Sequence, residues 1–344
     1  LLLMVLCALH LASGAARAQA VAVADPGRGG SDAAQVLVIS GTDPYLPAFV
    51  AIDSAMRDAM ARRRQGPVVW IHESIDTARF GREPGPMLAQ LLARKYESVD
   101  IDAVVLVTEP AVDFYLRHRE RLWPDAPAVF HFVAPGYAAR LPSDAGLSGI
   151  PALVDFAGAV ETAVALQPKA RKAVVVGGVS PFDEEQLTGF REALSRHADR
   201  LEVEYLVGLS PEQAAERLAR ATPDTAVFYA TQFRDREGRV YVPRAVLETL
   251  SATSAAPIYG VYDSQIGHGL AAGTVESLTE RGERLAQLVV RAIDGGRAGT
   301  PVVEPPPASK CAADGRQLKR YRLSARLLPA GCEDRYLEPG FFER

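Results

Sequence analysis

Eight short apolar runs, each followed by a segment with helical periodicity, constrain the fold of this chain more than any other feature. The runs are apolar at consecutive positions and rich in β-branched and aromatic residues, which is typical of strands buried on both faces of a parallel sheet. They form two successive sets of four: QVLVIS, VVWIHES, AVVLVTE and AVFHFV, then AVVVGG, EVEYLV, AVFYAT and PIYGVY. The pattern predicts two similar α/β lobes, over residues 34–152 and 153–271.

The segments between the runs carry the apolar stripes of packed helices. Within SPEQ, Ser210 is a helix N-cap, Pro211 suits the first helical position and Gln213 completes a capping box. A late helix over about residues 272–297 follows the second set and is expected to cross back over the first lobe, which gives a hinge of several segments. One stripe is expected to be core, with a cofactor-contacting methionine pair as the alternative: Phe49, Ile52, Met56 and Met60.

Composition restricts the class of function. The chain has 344 residues, 48% of them hydrophobic and 23% charged, which is enough for a globular protein of two lobes. The formal net charge is -4 and Lys and Arg are dispersed, so no basic face for nucleic acid is expected. The G-x-S-x-G, G-x-x-x-x-G-K-[ST], H-E-x-x-H and C-x-x-C motifs are absent, and GGVSPF lacks dinucleotide-site spacing. We therefore expect neither a cofactor nor a metal.

The amino-terminal segment indicates export. Residues 1–20 form an apolar run ended by A-x-A patterns, which predicts a signal peptide, with the end of an uncleaved membrane anchor as the alternative. Residues 21–33 are small, polar and glycine-rich and are expected to form a flexible leader. Beyond them the cysteines are Cys311 and Cys332, which in an oxidising compartment form either one disulfide or two unrelated thiols.

Polar and aromatic residues follow the runs in both lobes. Ligands of open α/β sheets bind beyond the carboxyl ends of the strands, so these loops predict a small-molecule cleft between the lobes. An ordinary capped turn is the alternative for the loop after the first run. The candidate ligand-binding residues of the first lobe are Ser40, Gly41, Thr42, Asp43, Tyr45, Glu73, Ser74, Thr108 and Glu109. Those of the second lobe are Gly178, Ser180, Phe182, Thr231, Gln232, Phe233, Tyr262, Asp263 and Ser264.

The carboxylates among these residues favour an amine-bearing or hydroxylated solute. An anionic solute is the alternative, because Arg79 or Arg234 would reverse the sign of the charge that it meets. An exported enzyme that uses His131, Glu109 or Asp263 as acid or base is a further hypothesis. A histidine inside an apolar run such as VFHFV is more often a core residue, so a catalytic role is not expected.

Several segments carry a resemblance to a known family. FRDREGRVYVPR, YDSQIGHG and the tail RQLKRYRLSARLLPAG resemble the extracytoplasmic sensor region of bacterial histidine kinases, hybrid kinases in particular. That region is similar to ABC-transporter substrate-binding proteins with the type I periplasmic binding protein fold. The resemblance spans residues 35–344, with departures at Gly315 and Cys332. It implies two Rossmann-like lobes with parallel sheets, joined by a multi-strand hinge and closing on a small solute.

The resemblance also implies a transmembrane helix and a cytoplasmic kinase after the C-terminus. Residues 298–344 are then a connector toward that helix, with six basic residues against one acidic residue between Lys310 and Arg326 and the aromatic stretch YLEPGFF after them. A solvated terminal face is the alternative for the tail. The predicted function is a membrane-tethered periplasmic solute sensor, and the alternative is a receptor that delivers solute to a permease. The sequence leaves open whether two copies form a homodimer.

Overall fold

The structure, a computed structural model, describes residues 33–77, 85–296 and 299–336. The predicted signal peptide or anchor, nearly all of the leader and residues 337–344 of the predicted connector lie outside the described residues. Among the described residues, no helix combines the length and apolar character needed to cross a bilayer.

The first lobe contains a five-stranded parallel sheet in the order β2-β1-β3-β4-β5. Its strands are β1 Ala34–Ser40, β2 Val68–Ser74, β3 Ala103–Val107, β4 Ala128–His131 and β5 Leu147–Ile150. One face packs against α1 and the late helix α9, and the other against α2, α3 and the short α4. These helices are α1 Pro47–Arg63, α2 Gly85–Lys95, α3 Glu109–Leu122, α4 Pro135–Ala138 and α9 Leu278–Gly295.

The second lobe contains a seven-stranded sheet in the order β12-β11-β10-β9-β8-β6-β7. Its strands are β6 Lys172–Gly177, β7 Glu202–Val207, β8 Thr225–Thr231, β9 Ile258–Gly260, β10 Leu270–Val275, β11 Lys310–Asp314 and β12 Glu333–Arg335. The first five run parallel, and β11 is antiparallel to β10. The helices are α5 Phe156–Leu166 and α6 Pro181–Ser195 on one face, α7 Pro211–Leu218 and α8 Pro243–Thr253 on the other, and α10 Gly315–Arg320 in the tail.

Local chemistry explains where these elements form. Every residue of β3 is buried, as expected for a central strand covered on both faces. Ser210 and Gln213 form the predicted capping box at the start of α7. In α1, Met56 and Met60 are each 1% exposed and pack in the core of the first lobe, so the packing interpretation of this stripe is confirmed.

Three segments cross between the lobes: residues 151–155 from β5 to α5, residues 276–277 from β10 to α9, and residues 305–309 into β11. The buried Arg281 of α9 ties two of them together. Its guanidinium donates to the carbonyl oxygens of Ile150 and Pro151 at 2.8 Å each and to Glu276 Oε2 at 2.8 Å. The predicted fold, two parallel-sheet α/β lobes joined by a multi-strand hinge, is confirmed.

The predicted domain limits need correction in two places. First, the second lobe does not end at residue 271, because β10 continues to Val275 as a central strand of its sheet. Second, residues 310–335 of the predicted connector toward a membrane helix pack on the second lobe, where they add β11, α10 and β12. Ala312 and Ala313 are 1% and 0% exposed beside β10, and Cys311 forms a disulfide with Cys332. Small side chains at this edge allow the tail to extend the sheet.

Candidate ligand-binding cleft

The crossovers place the carboxyl ends of both sheets along one gap. β5 and β10 each run directly into a crossover segment, so the loops after the parallel strands of either lobe face the hinge side. We call the loops after β1 to β4 the first rim and the loops after β6, β8 and β9 the second rim. Loops at carboxyl ends of parallel strands are where α/β proteins bind ligands.

Backbone strain is concentrated in the first rim. Asp76, Thr108 and Phe132 have φ of 45°, 73° and 56°, and they follow β2, β3 and β4 in turn. A residue other than glycine costs about 1–3 kcal/mol in such a conformation and persists only where its surroundings hold it. Three such residues at successive strand ends show that the surrounding structure holds the loops of this rim in strained conformations.

The loop after β1 presents an aromatic ring to solvent. Gly41 donates its N–H to Val107 O at 2.9 Å, and a Cβ there would lie 2.5 Å from Thr108 Oγ1, so only glycine fits. Asp43 Oδ1 accepts the backbone N–H of Tyr45 at 2.9 Å, which closes a turn of the Asx type. Tyr45 itself is 83% exposed. The loop therefore combines an Asx turn with an accessible ring, and α1 after it begins beyond Leu46 without a side-chain cap.

Beneath the first rim lies an aromatic layer that contacts the hinge. The rings of Phe49 and Phe132 meet edge to face at 5.2 Å, and the Arg281 guanidinium lies 5.1 Å from the centre of the Phe132 ring. His131 is 3% exposed among these groups, and burial together with the charge of Arg281 lowers its pKa to about 3. The imidazole is therefore neutral at physiological pH.

Asp183 organises the second rim. It is fully buried in the first turn of α6 and forms a capping box with Ser180. Its carboxylate accepts hydrogen bonds from Thr231 Oγ1 at 2.8 Å, from Phe233 N at 3.0 Å and from Arg234 N at 3.3 Å. Burial raises the pKa of Asp183, while these hydrogen bonds act in the opposite direction. The loops after β6 and β8 are thereby held by one side chain.

The second rim also carries accessible and polar groups. Phe182 is 41% exposed and packs edge to face on Phe233 at 5.6 Å. Tyr262 Oη donates to Gln186 Oε1 at 2.5 Å. Burial raises the pKa of Tyr262, and the charges of Glu185 and Asp183 add to the effect. This rim therefore combines rings with fixed hydrogen-bonding groups.

A carboxylate of the first lobe acts on a carboxylate of the second lobe across the gap. Burial raises the pKa of Glu185, and the charge of Glu109 raises it further. Glu109 begins α3 and accepts the backbone N–H of Ala134 at 3.2 Å, whereas Glu185 lies one turn beyond Phe182 on α6. Within the described ranges, neither carboxylate forms an ion pair with a Lys, Arg or His side chain. Acidic side chains of opposite lobes therefore come near each other between the rims.

Two of the predicted cleft carboxylates point elsewhere. Glu73 contacts Lys95 Nζ at 2.5 Å and the Tyr96 hydroxyl, because alternation along β2 turns its side chain toward α2. Asp263 Oδ1 accepts a hydrogen bond from Arg335 at 2.6 Å, since β12 brings an arginine beside it. These contacts engage both carboxylates with other parts of the protein.

The remaining predicted residues support the rims. Ser40, Ser74 and Thr231 end strands β1, β2 and β8. Ser74 Oγ donates to Thr42 O at 3.2 Å, and Gly178 donates its N–H to Thr231 O at 2.8 Å. Gln232 is 1% exposed and Ser264 lies in the 3₁₀ turn Asp263–Gln265. Most of these groups build the loops rather than project from them.

Sequence reasoning missed four residues that shape the cleft. Asp183 had a visible signal, because SPFD repeats the capping-box pattern of SPEQ. Arg281 stands as a lone cation on the apolar stripe of α9, which signals a buried charge with partners. Phe132 and Glu185 have no comparable signal, since their roles depend on the opposite lobe and on backbone strain.

Two depressions of about 130 and 370 Å³ lie away from the cleft, at the amino ends of the strands of the first and second lobes. None of the predicted ligand-binding residues lines them. In the part of the chain that the structure describes, no group of three His, Cys, Asp or Glu side chains could hold a metal ion.

Comparison with known proteins gives the fold. No family model and no curated protein matches the chain. Several solved structures share the fold of this chain. An ABC domain from Streptococcus pneumoniae in complex with L-Trp is 15% identical, with a TM-score of 0.61, and the match covers 85% of this chain and 95% of that one.

Two further solved structures with this fold are a transport protein and a transcriptional regulator. A periplasmic solute-binding protein of an ABC transporter from Actinobacillus succinogenes, with bound D-allose, is 14% identical over 84% of this chain and 100% of that one, with a TM-score of 0.54. A LacI-family transcriptional regulator from Enterococcus faecalis with bound ribose is 15% identical over 80% of this chain and 96% of that one, with a TM-score of 0.53. At such identities the likeness concerns the fold. This chain has the two-lobed α/β fold of the type I periplasmic binding proteins.

Proposed function

We propose that this chain is an extracytoplasmic solute sensor, in which a small organic molecule binds between the lobes and lobe closure signals to a membrane-linked histidine kinase. The observation that carries the proposal is the pair of rims, each with an accessible ring, on lobes joined by three crossovers. A solute that contacts both rims stabilises the closed form, because only that form offers it both surfaces. The signal is limited by the difference in affinity between closed and open forms.

The chemistry of the rims favours a particular kind of solute. Tyr45 and Phe182 are 83% and 41% exposed, so a solute in the cleft can cover both rings. Aromatic rings that a ligand covers supply contact area to its flat or apolar groups. Glu109 and Glu185 contribute carboxylates from opposite lobes. Carboxylates accept hydrogen bonds, so the proposed solute carries amino or hydroxyl groups beside its apolar part.

Binding without catalysis fits the positions of the candidate acid and base groups. His131 is 3% exposed beneath the first rim, and Asp263 is bonded to Arg335. Neither group presents a free acid or base to a molecule in the cleft. The third candidate, Glu109, lies at the first rim, so the hypothesis of an exported enzyme rests on that carboxylate alone.

The sensor is favoured over a transport receptor by the resemblance of the tail and of the segments FRDREGRVYVPR and YDSQIGHG to kinase sensor regions. The transport alternative rests on the fold, which ABC-transporter solute-binding proteins share. Both place the chain outside the cytoplasm. The coding sequence after residue 344 separates them: the sensor requires a membrane helix and a kinase there.

The binding step is tested by a thermal-shift screen of the purified chain against amino acids, amines, sugars and polyols, with calorimetry on any compound that raises the midpoint. Tyr45→Ala and Phe182→Ala should each weaken binding by about tenfold or more, as expected for aromatic contacts at the centre of a site. Leu327→Ala is the matched control, because Leu327 is 44% exposed in the tail. Binding that neither rim variant changes would refute the cleft, and a screen without any ligand would count against solute binding.

The signalling step is tested on the full-length protein in lipid nanodiscs. The ligand found in the screen should change the rate of autophosphorylation, and Phe182→Ala should shift the dose response by the same factor as its effect on affinity. If ligand instead stimulates only the ATPase of a co-reconstituted permease, the transport alternative is correct.

A further inference from the structure

Residues 262–268, which we call the latch segment, contact both the opposite lobe and the tail. The segment leaves β9 at the second rim and contains the 3₁₀ turn Asp263–Gln265. Cα atoms of this turn lie within 8 Å of Cα atoms of α1 in the first lobe, and others contact α8 of its own lobe. Movement of the first lobe at α1 can therefore displace the latch segment of the second lobe.

On its other side the latch segment is bonded to the end of the tail. Arg335 of β12 donates to Asp263 Oδ1 at 2.6 Å, and Arg316 Nη2 donates to Gly267 O at 3.0 Å. The Arg316 guanidinium stacks 4.4 Å above the ring of Tyr336. Gly267 has a φ of 89°, and a Cβ there would lie 2.7 Å from the Tyr336 ring. Two arginines and a ring thus hold the tail against this short segment.

The rest of the tail is fixed to the second lobe by other means. β11 pairs with β10, and the disulfide joins Cys311 to Cys332. Arg320 donates to Ser251 O at 2.6 Å and to Ser254 O at 3.2 Å at the end of α8. Residues 333–336 follow this fixed part, and they reach the latch segment together with Arg316 of α10.

We propose that the latch segment couples closure of the cleft to the end of the tail. Movement of α1 against the turn at Asp263 displaces the segment, and the bonds to Arg335 and Arg316 carry that displacement to β12 and Tyr336. This inference rests on the proposed sensor function, because it assigns the route by which the cleft acts on the tail. Coupling between two sites is reciprocal, so a change at Arg335 must also reach the first lobe.

Hydrogen exchange of the unliganded chain, followed by mass spectrometry, tests that reciprocity. Arg335→Met and Asp263→Asn should each speed amide exchange in the latch segment and, across the gap, in the early turns of α1, by about fivefold, the factor expected for one broken ion pair. Arg326→Met is the control, since Arg326 is exposed in the tail outside these contacts. Amides of β3 serve as the internal reference for global unfolding.

The charge reversal Asp263→Arg with Arg335→Asp should restore the exchange of α1 toward that of the native chain. If the single variants speed exchange in the latch segment and leave α1 unchanged, the coupling is refuted. Should the Met variant unfold, the double reversal decides. Restored exchange in both the latch segment and α1 supports the coupling, and restored exchange in the latch segment with α1 still fast overturns it. The experiment uses no ligand, so its failure is separate from a failed binding screen.

Discussion

His131 should make the stability of this protein depend on pH in a way that can be calculated. The imidazole is 3% exposed, with the rings of Phe49 and Phe132 at 6.5 and 5.6 Å and the charge of Arg281 nearby. Burial and that charge lower the pKa of His131 from 6.5 to about 3 in the folded state. Among the residues that the structure describes, its Nδ1 has no hydrogen-bond partner.

The direction in which the free energy of unfolding changes with pH follows from proton binding. The unfolded chain takes up a proton on this histidine near pH 6.5, whereas the folded chain does so only near pH 3. Between those values the unfolded state holds the extra proton, so the free energy of unfolding falls as the pH falls, by about 1.4 kcal/mol per pH unit. From pH 7 to pH 5 the loss due to His131 is about 2 kcal/mol. The loss levels off below the folded pKa.

Urea unfolding at pH 7, 6 and 5 measures this contribution when the native chain is compared with His131→Asn and His131→Phe. All other titrating groups are shared, so the difference between native and variant curves isolates His131. The native chain should lose about 2 kcal/mol more than either variant between pH 7 and 5. Parallel curves would show that the imidazole titrates near its ordinary pKa and would refute its burial beside Arg281.

Three further outcomes are expected. Asp183→Ala should lower the free energy of unfolding by about 4 kcal/mol in urea titrations, because buried donors left unsatisfied cost about 1–3 kcal/mol each, and a loss below 1 kcal/mol would contradict its organising role. Glu109→Gln should lower the pKa of Glu185, measured by carbon NMR of the side-chain carboxyl, and an unchanged titration would mean that the two rims are not close. Replacing Cys311 and Cys332 by Ser should lower the free energy of unfolding by about 3 kcal/mol, as expected for a disulfide between residues 21 positions apart. If a reductant leaves the unfolding curve of the native chain unchanged, no bridge forms.

The strands were predictable where burial alone decides them. AVVVGG and AVVLVTE are apolar on both faces, and both form central strands. β5 was not predicted, because LSGI contains a serine and a glycine that lower its strand propensity. A Cβ on Gly149 would lie 2.5 Å from Phe130 O, so the neighbouring strand requires glycine there. Because Phe130 of the adjacent strand sets this requirement, the residues around Gly149 do not indicate it in the sequence.

The loops at the carboxyl ends of the strands could be predicted better than the direction of their side chains. These loops follow from topology, and their use as a binding site stays a prediction. The orientation of Glu73 depends on Lys95, which is 22 residues away, and that of Asp263 on Arg335, which is 72 residues away. Such partners become neighbours only after folding, and the antiparallel return of the tail was itself unexpected.

The route of the chain through the hinge affects how the protein matures. Helix α9 covers α1 and one face of the first sheet, yet it follows the whole series β6 to β10 in the sequence. While the polypeptide emerges from the ribosome, α1 alone covers the valines of β1 on that face until residues 278–295 arrive. A fragment that stops at β5 exposes this apolar surface and is expected to aggregate. The packing of the first sheet is therefore complete only when nearly the full length has been synthesised.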